Sequence, residues 1–259
     1  MSERERVCDF WDEHVARWLD GRDVLAEPLP GWFASFQHAV PGAVAVDGLV
    51  EPFQGDLRGG TAPPAFVLLG LGPGRYYPDF QARQSIFADE LRRYRSFSAW
   101  AASTPYLRQP WLARIGPNRY LTARLRFARQ WRHDPRLPAA RLVIMQLYPW
   151  HTTAVTRPLR PPPPAVLDEF VWRPIGEIDV DTVFAFGTQW RPLADELNLP
   201  VLARLGCGGE HYGSSVRSRA VRVYQLPSGQ RLVIEWHDGS AGPPDTPETA
   251  RLRHALQTI

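Results

Sequence analysis

Three places in the chain carry residues whose type and spacing could do chemistry. Phe66-Val67-Leu68-Leu69-Gly70-Leu71-Gly72-Pro73-Gly74 is an apolar run ending in a loop of three glycines and a proline. Such a run reads as a strand buried on both faces that stops abruptly where the backbone lies open. Glycines let another molecule approach the main chain closely, and the loop amides become usable donors. A second apolar run, Arg141 to Pro149, carries one polar residue, Gln146, near its end. An amide left unpaired in an apolar setting costs on the order of 1–3 kcal/mol, so Gln146 either pairs with neighbouring backbone or points into a site and reads a ligand edge. Third, Ser214, Ser215, Arg217, Ser218, Arg219 and Arg222 set small hydroxyls among arginines, in a stretch from Gly206 to Arg222 that reads as loop. That mixture suits a phosphate backbone.

The elements that must position these residues follow from periodicity. Val7, Phe10, Trp11, His14, Val15 and Trp18 recur at three and four and predict an amphipathic helix stopped by Gly21. Between Pro28 and Pro64, Gly, Pro and Asp dominate, with Trp32, Phe33 and Phe36 as scattered anchors, which predicts an irregular packed connection. Helices are expected from Ala82 to Trp100 and again after Pro117, the latter burying Tyr120, Leu121, Leu125, Ala128 and Trp131. A further helix near Ala165 leads to a third buried strand, Thr182 to Gly187, then a short helix around Leu193 to Leu197 and a candidate strand from Val201 to Leu205. Pro227 to Gln230 reads as the turn of a hairpin whose second arm ends in His237-Asp238-Gly239-Ser240-Ala241-Gly242, and Thr246 as cap opens a closing helix.

Strands alternating with helices predict an α/β domain: a three-layer sandwich with a central, mainly parallel sheet of four to five strands. The whole chain is expected to form one domain, with residues 1 to 50 as a helical extension. In such folds ligands bind at the carboxyl ends of strands, which independently nominates Gly70 to Gly74, Gln146 to His151 and Gly187 to Trp190.

Composition excludes several classes. Two cysteines in 259 residues are too few for a disulfide framework or a thiolate cluster, and the seven histidines show no ligand-type spacing, so no metal and no cofactor are expected. The first residues are charged and no segment approaches ~20 apolar residues, so a cytoplasmic location without membrane association is expected. All 30 basic residues are Arg, and the net charge of +3 permits an acidic partner without demanding one. No obligate protein partner is evident.

A strand ending in Gly-Leu-Gly-Pro-Gly, a later strand with a polar residue at its tip, and a last strand running into His-Asp-Gly-Ser-Ala-Gly together resemble the uracil-DNA glycosylase superfamily, over Glu51 to Pro243. The resemblance implies a monofunctional enzyme that everts a nucleotide from duplex DNA and hydrolyses its N-glycosidic bond. It further implies that backbone at Gly72, Pro73 and Gly74 holds the base or the attacking water, and that Gln146 reads the base edge. His237 would stabilise the departing base anion, while Ser240, with Ser214, Arg217 and Arg219, would contact the DNA backbone. The chain departs from the family where many relatives place Asp or Asn: Gly72 has no side chain to orient water. Asp79, in the same loop, is the leading replacement, with Glu51, His151 and Asp238 as others. Gly74 likewise lacks the tyrosine wall of strict uracil enzymes, so a roomier pocket is expected, with Tyr76, Tyr77 and Trp150 as stacking planes. This points to a bulky modified pyrimidine, as in phage-defence enzymes acting on glucosylated hydroxymethylcytosine. The alternatives are repair of uracil or another deaminated base, and a non-catalytic DNA-binding protein of the same fold.

Overall fold

The computed structural model describes residues 1–22, 25, 27–39, 47–60, 62–152, 159–205, 219–237, 242–257 and 259. The chain opens with α1 (Glu3–Leu19), fixed at its start by a capping box in which Ser2 and Glu5 exchange side-chain to backbone hydrogen bonds. The stretch expected to be irregular contains α2 (Leu29–Ala39) and β1 (Phe53–Gln54). Trp32, Phe33 and Phe36 stand one helical turn apart and are all buried, so their spacing is that of a helix face.

After β2 (Phe66–Gly70) come α3 (Pro78–Gln81), α4 (Ile86–Tyr94), α5 (Phe97–Ala102), α6 (Trp111–Arg114) and α7 (Arg119–Arg132). The single helix expected from Ala82 to Trp100 is therefore two. Arg95 adopts a left-handed conformation, φ 58°, and closes α4 by donating its amide to Leu91. Ser96 then caps α5, its Oγ accepting from the Ala99 amide at 3.0 Å. Asp12 of α1 locks this corner, accepting from the Ser98 amide at 2.7 Å and the Ser98 hydroxyl at 2.8 Å.

β3 (Leu142–Gln146) is followed by α8 (Pro164–Leu167), a π-helical turn (Asp168–Trp172) and α9 (Arg173–Gly176), then β4 (Thr182–Phe186), α10 (Trp190–Glu196) and β5 (Val201–Leu205). The hairpin arms are β6 (Arg219–Gln225) and β7 (Arg231–His237), and α11 (Thr246–Leu256) closes the chain. The cap of α11 is Asp245 rather than Thr246: its carboxylate accepts from the Glu248 amide at 3.0 Å, and the Glu248 carboxylate answers.

The fold is mixed α/β, with a mostly parallel central sheet flanked by helices. Among the described residues seven strands, more than the four to five expected, lie in the order β1-β3-β2-β4-β7-β6-β5. The central four, β3-β2-β4-β7, run parallel, while β1 and β6 run opposite to them, and β5, paired antiparallel to β6, returns to the direction of the central four. The two-residue β1 is too short to announce itself by alternation. Phe127 and Trp131 of α7 pack on Phe66, Phe184 and Phe186, so α7 covers the sheet face carrying alternate residues of β2 and β4. No helix among the described residues is long and apolar enough to cross a membrane.

Gly55, directly after β1, has φ 89°, and a Cβ there would lie 2.1 Å from the Leu142 carbonyl oxygen. Gly55→Ala is expected to cost on the order of 2–4 kcal/mol, read as a lowered midpoint of chemical denaturation.

Candidate functional site

Parallel pairing brings the carboxyl ends of β2, β3, β4 and β7 to one edge of the sheet. Gly70 pairs with Gln146, and Phe186 with Glu235, so the chemistry-bearing ends lie at nearly the same height. Beyond the strands, the two central loops remain laced. Leu147 donates to Gly70 at 2.8 Å, Tyr148 to Leu71 at 3.1 Å and Thr152 to Gly74 at 2.9 Å. The connections leave β2 toward β3 on one side and then cross to β4 on the other, the arrangement that opens a crevice at strand ends.

A cleft of about 450 Å³ occupies this position. Gly72, Pro73, Gly74 and Tyr77 form one wall, and Trp111, Asn118, Arg119 and Tyr120 the other, with Gln54, Gln81 and Tyr106 also on its surface. The walls are held by local chemistry. Gly74 takes φ 87°, which favours glycine, and Asn118 caps α7 by accepting from the Leu121 amide at 3.0 Å, placing Tyr120 in the first turn. Tyr77 stands edge-on to Trp111 with ring centroids 5.3 Å apart.

Behind the cleft lies a fully buried carboxylate, Glu51. Its Oε1 accepts a short hydrogen bond from the Tyr106 hydroxyl and a 3.3 Å bond from Gln81 Nε2, and lies 3.1 Å from His151 Nε2. The other ring nitrogen, Nδ1, lies 3.3 Å from the Gly74 carbonyl oxygen. The imidazole thus bridges the Glu51 carboxylate and the Gly74 carbonyl. Glu51 Oε2 has no hydrogen-bond partner among the described residues. Burial, and then the Glu51 charge beside it, push the Tyr106 phenol well above its ordinary pKa, so it stays a donor.

Gln146 is 1% exposed, and neither its amide oxygen nor its amide nitrogen has a partner among the described residues. Its side chain lies against Gly70, where a Cβ would meet Gln146 Oε1 at 2.1 Å and the Tyr120 hydroxyl at 2.8 Å. Of the two readings of Gln146, pairing with backbone finds no partner among the described residues. Unpaired buried amides are uncommon because each lost bond costs on the order of 1–3 kcal/mol.

Other expected site residues fall differently. Gly72, Pro73, Gly74 and Tyr77 line the cleft. Asp79 does not: it is exposed, in the first turn of the four-residue α3. Trp150 is 1% exposed and stacks among Trp32, Phe33 and Phe36, with centroids 5.8, 5.0 and 6.2 Å away, so it is core and offers no plane to a ligand. Arg219 lies in β6 rather than in a loop. Its guanidinium is held by Glu235 at 2.6 Å and Glu248 at 2.8 Å, which satisfies its charge internally and removes it from a nucleic-acid surface. His237 ends β7 on the same sheet edge as Gly70, two strands and so about 10 Å across. Its side chain, with Ser214, Arg217, Asp238 and Ser240, lies outside the described residues.

Glu51 to Leu57 reads in the sequence either as a turn or as a border of this cleft, and Gln54 does lie on it, whereas Gln81, Tyr106, Trp111 and Tyr120 were not anticipated. Only Tyr120 had a usable signal, since it sits one turn into a helix whose cap follows the chain back to the strand ends. No group of three or more metal-ligating side chains occurs among the described residues. Comparison of the chain with family models, curated proteins and solved structures returns no match.

The Tyr106 shift has a testable sign. The folded state holds the phenol proton more tightly than the unfolded chain, so this contribution is complete below about pH 10 and is lost as pH rises toward the folded value. Tyr106→Phe is expected to flatten the alkaline loss of stability, measured as denaturation midpoints between about pH 8 and 11.

Proposed function

We propose that the chain is a monofunctional DNA glycosylase with a three-layer sandwich of the uracil-DNA glycosylase type, acting in the cytoplasm without metal or cofactor on duplex DNA carrying an everted base. The observation that carries this reading is the unpaired Gln146 amide at the tip of β3, beside a cleft whose wall is the Gly72 to Gly74 backbone. An amide both donates and accepts, which is what a pyrimidine edge requires. Two features support a substituted base. The cleft falls within the roughly 300–1,000 Å³ of small-molecule pockets, and Gly74 leaves it without a side-chain wall. A modified pyrimidine such as glucosylated hydroxymethylcytosine in phage DNA is therefore the favoured substrate, with an anti-phage role.

Hydrolysis needs a group that orients and deprotonates water. In this reading Glu51 does so through Oε2, while Tyr106, Gln81 and His151 hold its other oxygen. As the C1′–N bond breaks, positive charge grows on the sugar and negative charge on the base. The carboxylate favours the first, and His237 at the end of β7 is assigned to the second.

Duplexes carrying uracil, hypoxanthine, hydroxymethylcytosine or its glucosylated form, assayed for alkali-labile abasic sites, test the proposal. Cleavage of the glucosylated duplex is expected; cleavage of uracil alone would defeat the modified-base assignment, and no cleavage of any duplex would leave a DNA-binding protein. Glu51→Gln is expected to lower kcat/KM by about 10²-fold or more with duplex affinity retained.

A further inference from the structure

Arg124, one turn beyond Tyr120 on α7, is 6% exposed and has no carboxylate partner among the described residues. Among the described residues it donates from Nη1 to the Tyr120 carbonyl at 3.2 Å, and its Nε has no partner. The guanidinium lies flat against the Tyr120 ring, 3.4 Å from the centroid, with Phe186 at 5.9 Å. Burial lowers its pKa from the ordinary arginine value, the sign of a charge taken out of water without full compensation. Tyr120 is exposed, lines the cleft on its other side, and shares with the Gln146 amide the space above Gly70. A buried cation against the ring and a buried amide beside the hydroxyl thus flank the Tyr120 phenol, which lines the cleft here.

We propose that this convergence is a binding site for an anionic heterocycle, with Arg124 as its counter-charge. This rests on the glycosylase reading and deepens it, because the anion formed in that reaction is the departing base. The C1′–N bond breaks with its electron pair passing to the base. The water oxygen bonds to C1′, and the water proton goes to the Glu51 carboxylate. The base is left negative, and its charge faces the Tyr120 hydroxyl and the Gln146 amide as donors. Arg124 does not touch it. It acts through the Tyr120 ring, polarising the phenol as a donor and setting a positive field in a site of low dielectric. It is a positioning residue in electrostatic terms, complementary to the charge that appears only as the bond breaks.

The test uses the full chain and barbiturate, a pyrimidine that is an anion at neutral pH, with neutral uracil as control, titrated by tryptophan fluorescence. Wild-type protein is expected to bind barbiturate at least about tenfold more tightly than uracil, and Arg124→Met to abolish that preference. Arg124→Lys, which keeps the charge, should retain part of it. Equal affinity for the two ligands in wild type, or a preference that survives in Arg124→Met, would overturn the assignment. If Arg124→Met does not fold, Arg124→Lys and Tyr120→Phe decide: an unaltered preference in both overturns it. On whichever duplex is cleaved, Arg124→Met should lower kcat/KM by about 10²-fold, with the loss smaller for a base bearing an electron-withdrawing substituent. Anion preference without cleavage of any duplex would remove the glycosylase reading and leave the site; cleavage insensitive to Arg124 would do the reverse.

Discussion

One buried carboxylate ties together four segments that are far apart in sequence. Glu51 precedes β1, Gln81 ends α3, Tyr106 follows α5 and His151 follows β3, and all four meet at a single oxygen. A buried carboxylate adds little net stability even when it is hydrogen-bonded, because desolvation offsets most of the attraction. Their effect here is geometric. Removing any one partner strands a charge in the interior, so the segments are held in one relative position and the cleft inherits its shape from them. His151 extends the constraint through Nδ1 to the Gly74 carbonyl, so the glycine loop is positioned by the same charge.

A second clamp of the same kind lies further along the sheet. Arg219 of β6 binds Glu235 of β7 and Glu248 of α11, and also donates to the Gly242 carbonyl at 3.3 Å. It fixes the chain on both sides of the segment that follows β7. The two clamps thus stand at either end of the row of strand tips, one around β2 and β3, the other around β7. Between them β4 and α7 present Phe186, Tyr120 and Arg124.

Much of this was legible in the residues. The runs around Leu68, Ile144 and Phe184 are apolar throughout because both faces are covered, and that alone predicts central parallel strands. The turn chemistry at Pro227 to Gln230 gave the hairpin. What escaped were features without periodicity. Gln81 and Tyr106 are single polar residues in short or irregular segments, and only tertiary contact brings them together. Trp150 and Asp79 misled for opposite reasons: an aromatic beside a strand tip is more often core than platform, and an acid close in sequence to a glycine loop can still point to solvent. Arg219 misled because its partners, Glu235 and Glu248, are 16 and 29 residues away. The sequence places charges; which of them cancel is decided by the fold.

The main chain around Gly72 is closed as well as bare. A Cβ at this position would sit 3.2 Å from the Tyr148 carbonyl oxygen and 3.7 Å from that of Trp150, carbonyls carried by a loop that is itself bonded to Leu71 and Gly74. Grafting an acid onto the glycine loop would therefore require the neighbouring loop to retreat, and with it the lacing that holds both strand tips. The carboxylate tied to this loop is therefore one reached from behind, Glu51, joined to it through His151.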